Sequence, residues 1–191
     1  MNPPYVNLIQ KIVPPAVATM ALLLSSCGTD LQVDGPHTKK AQSNDRGNAQ
    51  EREMMAFIRG HSKQKRSQLK WEPRLAKAAR AKAQDMGRRG YYSHVDPDGF
   101  GPNRLVQKTG YKLPVSWTAF DETNYVESFV AGHATAESAF KSLLSSRLHA
   151  QHLLGLSEFT RKETNGAVGY AHVPNSPYGH YWVFLSAPPE E

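Results

Sequence analysis

A three-layer α-β-α fold around a small, mainly antiparallel sheet is predicted for this sequence by two observations. The first is a pair of nearly continuous apolar segments, Ala167 to Val173 and Tyr181 to Ala187, joined by the turn-forming stretch PNSPYG. Segments of this kind bounded by turn residues pair as an antiparallel hairpin, and apolar side chains at successive positions imply a sheet covered on both faces. The second is helical periodicity in three earlier segments, which supplies the covering layers.

Asn48 and Glu51 have the spacing of a capping box, and Met54, Phe57 and Ile58 then repeat at helical period up to Gly60. A polar connection, SKQKRSQ, follows. Trp71-Glu72-Pro73 opens a second helix with proline in its first turn, where no amide donor is lost. Leu75, Ala78, Ala79, Ala83 and Met86 line one face of it, a narrow alanine-rich seam that permits close packing, and Gly87 to Gly90 ends it. The loop from Tyr91 to Arg104 is dense in turn formers: Asp96, Pro97, Asp98, Gly99, Gly101 and Pro102. Its Asp-Pro-Asp-Gly run does not fit a calcium-binding EF-hand, because the twelfth position counted from Asp96 is Gln107 where a glutamate is required. Pro102 to Gly110 has room for a short helix with Leu105 and Val106 as its apolar content. Asn124 to Gly132 is rich in strand formers yet holds Glu127 among them, so that carboxylate is either buried with a partner or exposed on an edge. Thr135 is a suitable N-cap for a third main helix to Ser146, with Ala136, Ala139, Phe140, Leu143 and Leu144 at spacings of three and four.

The chain has 191 residues, enough for one domain, and its first fifty do not belong to that domain. Residues 1–26 read as an export signal, with one positive charge at Lys11 and an apolar run centred on Ala16 to Leu24 that is too short to span a bilayer. Leu24-Ser25-Ser26-Cys27 resembles the lipobox of bacterial lipoproteins, in which the cysteine is lipidated and becomes the membrane anchor. Cys27 is the chain's single cysteine, so no intramolecular disulfide can form and the fold rests on its core. Residues 27–47 are polar and without apolar period, a flexible linker to a folded domain at 48–191. The formal charge of +6 is concentrated: from Glu51 to Gly90 there are twelve Lys or Arg against four Asp or Glu. A basic flank is expected from this, suited to an anionic envelope partner; no nucleic-acid motif or repeat is present, and a monomer is expected.

Several short motifs remain. Ser93-His94 is followed by Asp96-Pro97-x-Gly99; then come Glu127-Ser128-Phe129-x-x-Gly132, Ser146-x-x-His149 ending in Leu153-Leu154, Val168-Gly169-Tyr170, and Tyr181-Trp182-x-Phe184. In this order and at these spacings they resemble the CAP superfamily, also called SCP-like proteins, over roughly residues 50–188. Bacterial members carry a serine-histidine at the first site, Gly-Glu-Asn-Ile at the second and Ser-Pro-Gly-His at the third.

The resemblance implies an α-β-α sandwich of CAP/SCP type with a cleft that gathers His94, Glu127 and His149, with Ser146 lining it. It further implies a divalent metal, commonly zinc, held by His94 and His149, because neutral imidazole suits zinc and a nearby carboxylate can orient a histidine or poise a water. Two nitrogens are few, so such a site would need water or ligand to complete it. The sequence departs from the family pattern at two places. Ser128 stands where asparagine is usual, and the third block lacks its proline and glycine and places His152 at a second usual asparagine, where it is expected to be dispensable for metal binding. A second acidic cleft residue is absent, Ser146 lying nearest its place, which weakens any acid-base mechanism. His133, His172 and His180 receive no role. The expected function is an envelope-anchored binding module for a lipid, glycan or protein; the alternatives are a metal-assisted hydrolase with Glu127 as catalytic base, and a structural envelope protein.

Overall fold

The Asn48 side chain accepts from the Glu51 amide at 3.0 Å and Glu51 returns the bond to the Asn48 amide at 2.8 Å, so the expected capping box starts helix α1, Ala49–Gly60. In this computed structural model the described residues are 45–190; the expected export signal, Cys27 and nearly all of the linker lie outside them. Strand β1, Lys70–Trp71, comes next and was not expected. Two residues carry no strand signal of their own. Parallel pairing to a later strand makes them one, through Lys70 N–H to Thr164 O at 2.8 Å and Glu72 N–H to Gly166 O at 3.0 Å.

Helix α2, Pro73–Arg89, begins at its proline and stops at Gly90, whose φ of 66° is left-handed and suits glycine. Then follow α3 (Pro102–Gln107), β2 (Glu127–Ala131), α4 (Ala136–Ser145, capped by Thr135), α5 (Arg147–Leu153), α6 (Glu158–Arg161), β3 (Asn165–His172) and β4 (His180–Ala187). The sheet order is β1-β3-β4-β2, antiparallel except for the β1–β3 edge pair, so β2 is the other edge.

Alternation along β4 builds the layers. Tyr181, Val183, Leu185 and Ala187 face one core with Leu75, Ala79, Ala83 and Met86 of α2. Trp182 and Phe184 face the other, with Met54, Met55 and Ile58 of α1 and Ala139, Phe140 and Leu143 of α4. The sequence-predicted two-sided sheet is therefore present. Its tightest contact explains the alanine seam: a Cβ on Gly169 of β3 would lie 2.3 Å from the backbone of Ala79 and Arg80, so α2 rests directly on the strand.

Part of the expected basic flank is buried or ion-paired, while Arg52, Arg59, Lys63, Lys65, Lys70, Lys77 and Arg88 remain exposed. Arg66 and Lys82 are buried. Arg80 pairs with Asp45 and Glu51 at 2.6 Å, Arg74 with Glu72 and Glu190, and Arg89 with Asp98. Counting charges within the segment missed the partners that lie outside it, Asp45, Asp98 and Glu190.

Candidate functional site

Lys82 lies in the inward stripe of α2, three residues after Ala79 and four before Met86, and is 2% exposed. Its ammonium donates to the His94 carbonyl at 2.7 Å and to the Tyr91 hydroxyl at 3.2 Å, and Tyr91 donates to Asp85 at 2.7 Å. These bonds fix the start of the loop that carries His94. Burial lowers the Lys82 pKa, and the negative charges of Glu127, Asp96 and Asp85 oppose that shift. Burial likewise raises the Tyr91 pKa, with help from its bond to Asp85.

Glu127 opens β2 on the face shared with Leu185, its register partner, and its side chain is 1% exposed. Its Oε1 lies 2.8 Å from His94 Nδ1, the carboxylate's one hydrogen bond among the described residues. Asn124 braces this pair. Its Oδ1 accepts from the amides of Val126 at 3.2 Å and Glu127 at 2.9 Å, which orients the side-chain amide. Nδ2 is thereby turned towards the Glu127 carbonyl at 3.3 Å and His94 Nδ1 at 3.0 Å. A donor and a carboxylate thus compete for one ring nitrogen. The charge-assisted bond is the stronger, so Nδ1 carries the proton and donates to Glu127, leaving the His94 Nε2 lone pair free. The ring sits edge-on to Phe129, with centroids 4.7 Å apart. Burial raises the Glu127 pKa; the His94 bond and the Lys82 charge work against it.

His149 lies on α5, beyond the β2 edge in the layer of α4. Ser146 is the N-cap of that helix, its hydroxyl accepting from the His149 amide at 3.5 Å. Burial lowers the His149 pKa, and the charges of His94 and His152 lower it further, which favours the neutral, ligating imidazole. Among the described residues its side chain hydrogen-bonds neither His94 nor Glu127. So the structure joins His94 and Glu127 directly and brings His149 within electrostatic reach of His94, while Ser146 caps the helix.

His152 has a structural role. It is buried, its Nδ1 2.8 Å from Ser128 Oγ and its Nε2 2.8 Å from Ser186 Oγ. Ser186 also donates to Glu163 at 2.8 Å, and Arg66 donates to the His152 and Leu153 carbonyls at 2.7 and 2.8 Å. His152 thus pins α5, and His149 with it, to β2 and β4. The two departures from the family pattern, Ser128 and His152, are hydrogen-bonded to each other: the short hydroxyl and the long imidazole together span the gap.

Lys82 and Asn124 were missed from sequence. A lysine inside an apolar helical stripe was the signal for the first, and an asparagine three residues before the first residue of a strand, poised for an Asx turn, for the second. Two residues before Glu127, Tyr125 belongs to a partly exposed aromatic group: the half-buried Trp117 stacks on Phe159 at 4.9 Å and meets Tyr125 at 5.3 Å. Tyr125, Phe159 and Leu148 are 45%, 43% and 67% exposed. A depression of about 430 Å³ lined by Gln107, Tyr111, Leu113 and Val115 includes none of the histidines; the donor chemistry, not that hollow, marks the site.

The three-layer sandwich is of the CAP/SCP type. The chain belongs to the CAP family, the cysteine-rich secretory protein family, which it matches over residues 46–185. Among solved structures it is similar to an extracellular protein containing an SCP domain from Bacillus anthracis, at 18% identity and a TM-score of 0.58, covering 82% of this chain and 45% of that one. The chain thus spans less than half the length of the Bacillus protein. It is also similar to an outer surface protein from Borrelia burgdorferi, at 16% identity and a TM-score of 0.53, covering 73% of this chain and 92% of that one. No curated protein matches it.

Proposed function

We propose that this chain is an exported binding module of the cell envelope, and that the surface around His94 and His149 receives an amphipathic, lipid-class ligand. The observation that carries the reading is the state of Glu127. A general base must reach the proton of a water or substrate, and this carboxylate is 1% exposed with Oε1 engaged by His94. Its fitting role is to orient the imidazole and hold its tautomer, which argues against hydrolysis with Glu127 as base. The aromatic group at Trp117, Tyr125 and Phe159 offers an apolar body a place beside two imidazole heads.

Zinc fits this donor set only as an exchangeable ion. His94 Nε2 and His149 would hold it, and it would supply a Lewis-acid anchor for a ligand oxygen. Among the described residues no cluster of three or more His, Cys, Asp or Glu forms, so water or ligand would fill the other positions.

The test is equilibrium binding against a fatty acid, a phospholipid, a sterol and an oligosaccharide panel. His94→Ala and His149→Ala should each weaken lipid binding about tenfold or more, the scale of one lost strong hydrogen bond. Glu127→Gln, which keeps an acceptor for the His94 N–H, should weaken it less. Wild-type binding by both histidine variants, or a turnover that Glu127→Gln abolishes, would overturn the reading.

Export and anchoring rest on the segment ending in Cys27, and both similar structures come from extracellular or surface proteins. Cys27→Ser should release the protein from the membrane fraction, since a lipid anchor contributes about 0.8 kcal/mol per buried methylene. Unchanged membrane association would rule out lipidation at this residue.

A further inference from the structure

The far end of the sheet holds two histidines that the cleft does not use. β3 closes on His172 and β4 opens on His180, directly opposite in register. The Val173 amide donates to the Gly179 carbonyl at 2.7 Å, so the adjoining rung is a hydrogen-bonded one. His172 and His180 therefore form a non-hydrogen-bonded pair, the kind in which facing side chains come closest, with Cα atoms about 4.5 Å apart. Their rings stack with centroids 4.4 Å apart and planes 8° from parallel.

Tyr170, two residues before His172 and so on the same face, completes the group. Its hydroxyl lies 2.7 Å from His180 Nδ1. When Nδ1–H donates to that oxygen, His180 Nε2 keeps its lone pair, directed away from Tyr170 and available as a ligand. A hydrogen-bonded partner on the other ring nitrogen is how metal-binding histidines are commonly oriented. His172 is exposed and His180 half-buried, so an ion can reach both.

We infer that His172 and His180 form a second metal site, a cross-strand pair that takes a divalent transition cation such as Zn²⁺ through two imidazole nitrogens, with water in the remaining positions. Each zinc–nitrogen bond is about 2.0–2.1 Å, so two ligating nitrogens can stand up to roughly 4 Å apart. The stacked rings hold their lone pairs in nearly parallel planes, so the exposed His172 ring must turn out of the stack for both nitrogens to converge on one ion. Two neutral imidazoles select Zn²⁺ and its neighbours over Ca²⁺ or Mg²⁺, which require oxygen ligands. Burial, and then the His172 charge, lower the His180 pKa, which favours the neutral form that binds. No third His, Cys, Asp or Glu joins the pair among the described residues, so the site is bidentate and exchangeable. Binding would tie the two strands together next to the turn at 173–179. This inference is independent of the cleft reading.

The test is a Zn²⁺ titration of the full chain followed by NMR of the histidine imidazole resonances, which reports each ring separately from His94 and His149. At pH 7.5 the His172 and His180 signals should move together, with a single dissociation constant. His172→Ala should weaken the Zn²⁺ response of His180 at least about tenfold, because the second imidazole acts at the high effective concentration of a tethered ligand. His180→Ala should do the same to His172, and Ca²⁺ should move neither. Both substitutions lie at a strand end, and retained dispersion of the remaining signals verifies the fold. Independent shifts of the two rings, an unchanged His180 response in His172→Ala, or no response below about 1 mM Zn²⁺, a weak-binding limit, would overturn the site.

Discussion

Glu163→Leu is expected to cost about 3–5 kcal/mol, because it strands a cation in the interior. Arg66 and Glu163 have fully buried side chains, and their 3.4 Å contact is long for an ion pair. Among the described residues Arg66 Nε and Glu163 Oε1 have no hydrogen-bond partner. Burial lowers the Arg66 pKa against the opposing charge of Glu163, the sign of a guanidinium held in place at a desolvation cost. An imperfect buried pair of this kind contributes little net stability while both members are present, yet removing one leaves the other uncompensated. Arg66→Met combined with Glu163→Leu should therefore recover part of the loss. Recovery should be incomplete, because Arg66 also caps the carbonyls of His152 and Leu153 at the end of α5. Urea unfolding of the single and double variants measures both quantities. A single-variant loss under about 1 kcal/mol, the scale of an ordinary surface change, would mean that the node is not the keystone of α5.

Phe184→Ala should lower stability by a comparable amount, about 3–5 kcal/mol, through a different cause. Phe184 is 1% exposed in the core formed by α1, α4 and the sheet, and its ring lies 5.1 Å from that of His152. Truncation removes the aromatic contacts and leaves a cavity between sheet and helices that the backbone of a central strand cannot close. A further consequence separates this variant from a merely distant core change. His152 loses the ring it packs on, so α5 should show faster amide exchange than α2, which packs on the opposite face. Equal exchange in the two helices would show that the two cores are not independent layers.

Much of the fold could be read from local chemistry. The capping box at Asn48 and Glu51, Pro73 in the first turn of α2, the cap at Thr135 and the alternation of Tyr181 to Ala187 each depend on neighbours in sequence, so the residues carried their own evidence. The pairing of His94 with Glu127, 33 positions apart, came only through a resemblance in motif order, and their 2.8 Å contact depends on the loop that Lys82 and Asn124 hold. Three elements gave no usable signal. β1 is two residues long and exists because β3 offers it a partner; α5 and α6, of seven and four residues, are too short for periodicity to define.

By itself the sequence determined the layer architecture, because periodicity, caps and turn residues act over a few positions, and motif order joined His94 and Glu127 only by resemblance. Only the tertiary structure decided what each group can do there. Burial left the Glu127 side chain 1% exposed, a buried lysine fixed the start of the His94 loop, partners beyond the counted segment took up Arg74, Arg80 and Arg89 of the basic flank, and Ser128, Ser186 and Glu163 converged on His152 from three parts of the chain. Those outcomes turn on solvent exclusion and on contacts between residues far apart in sequence, which no local pattern encodes.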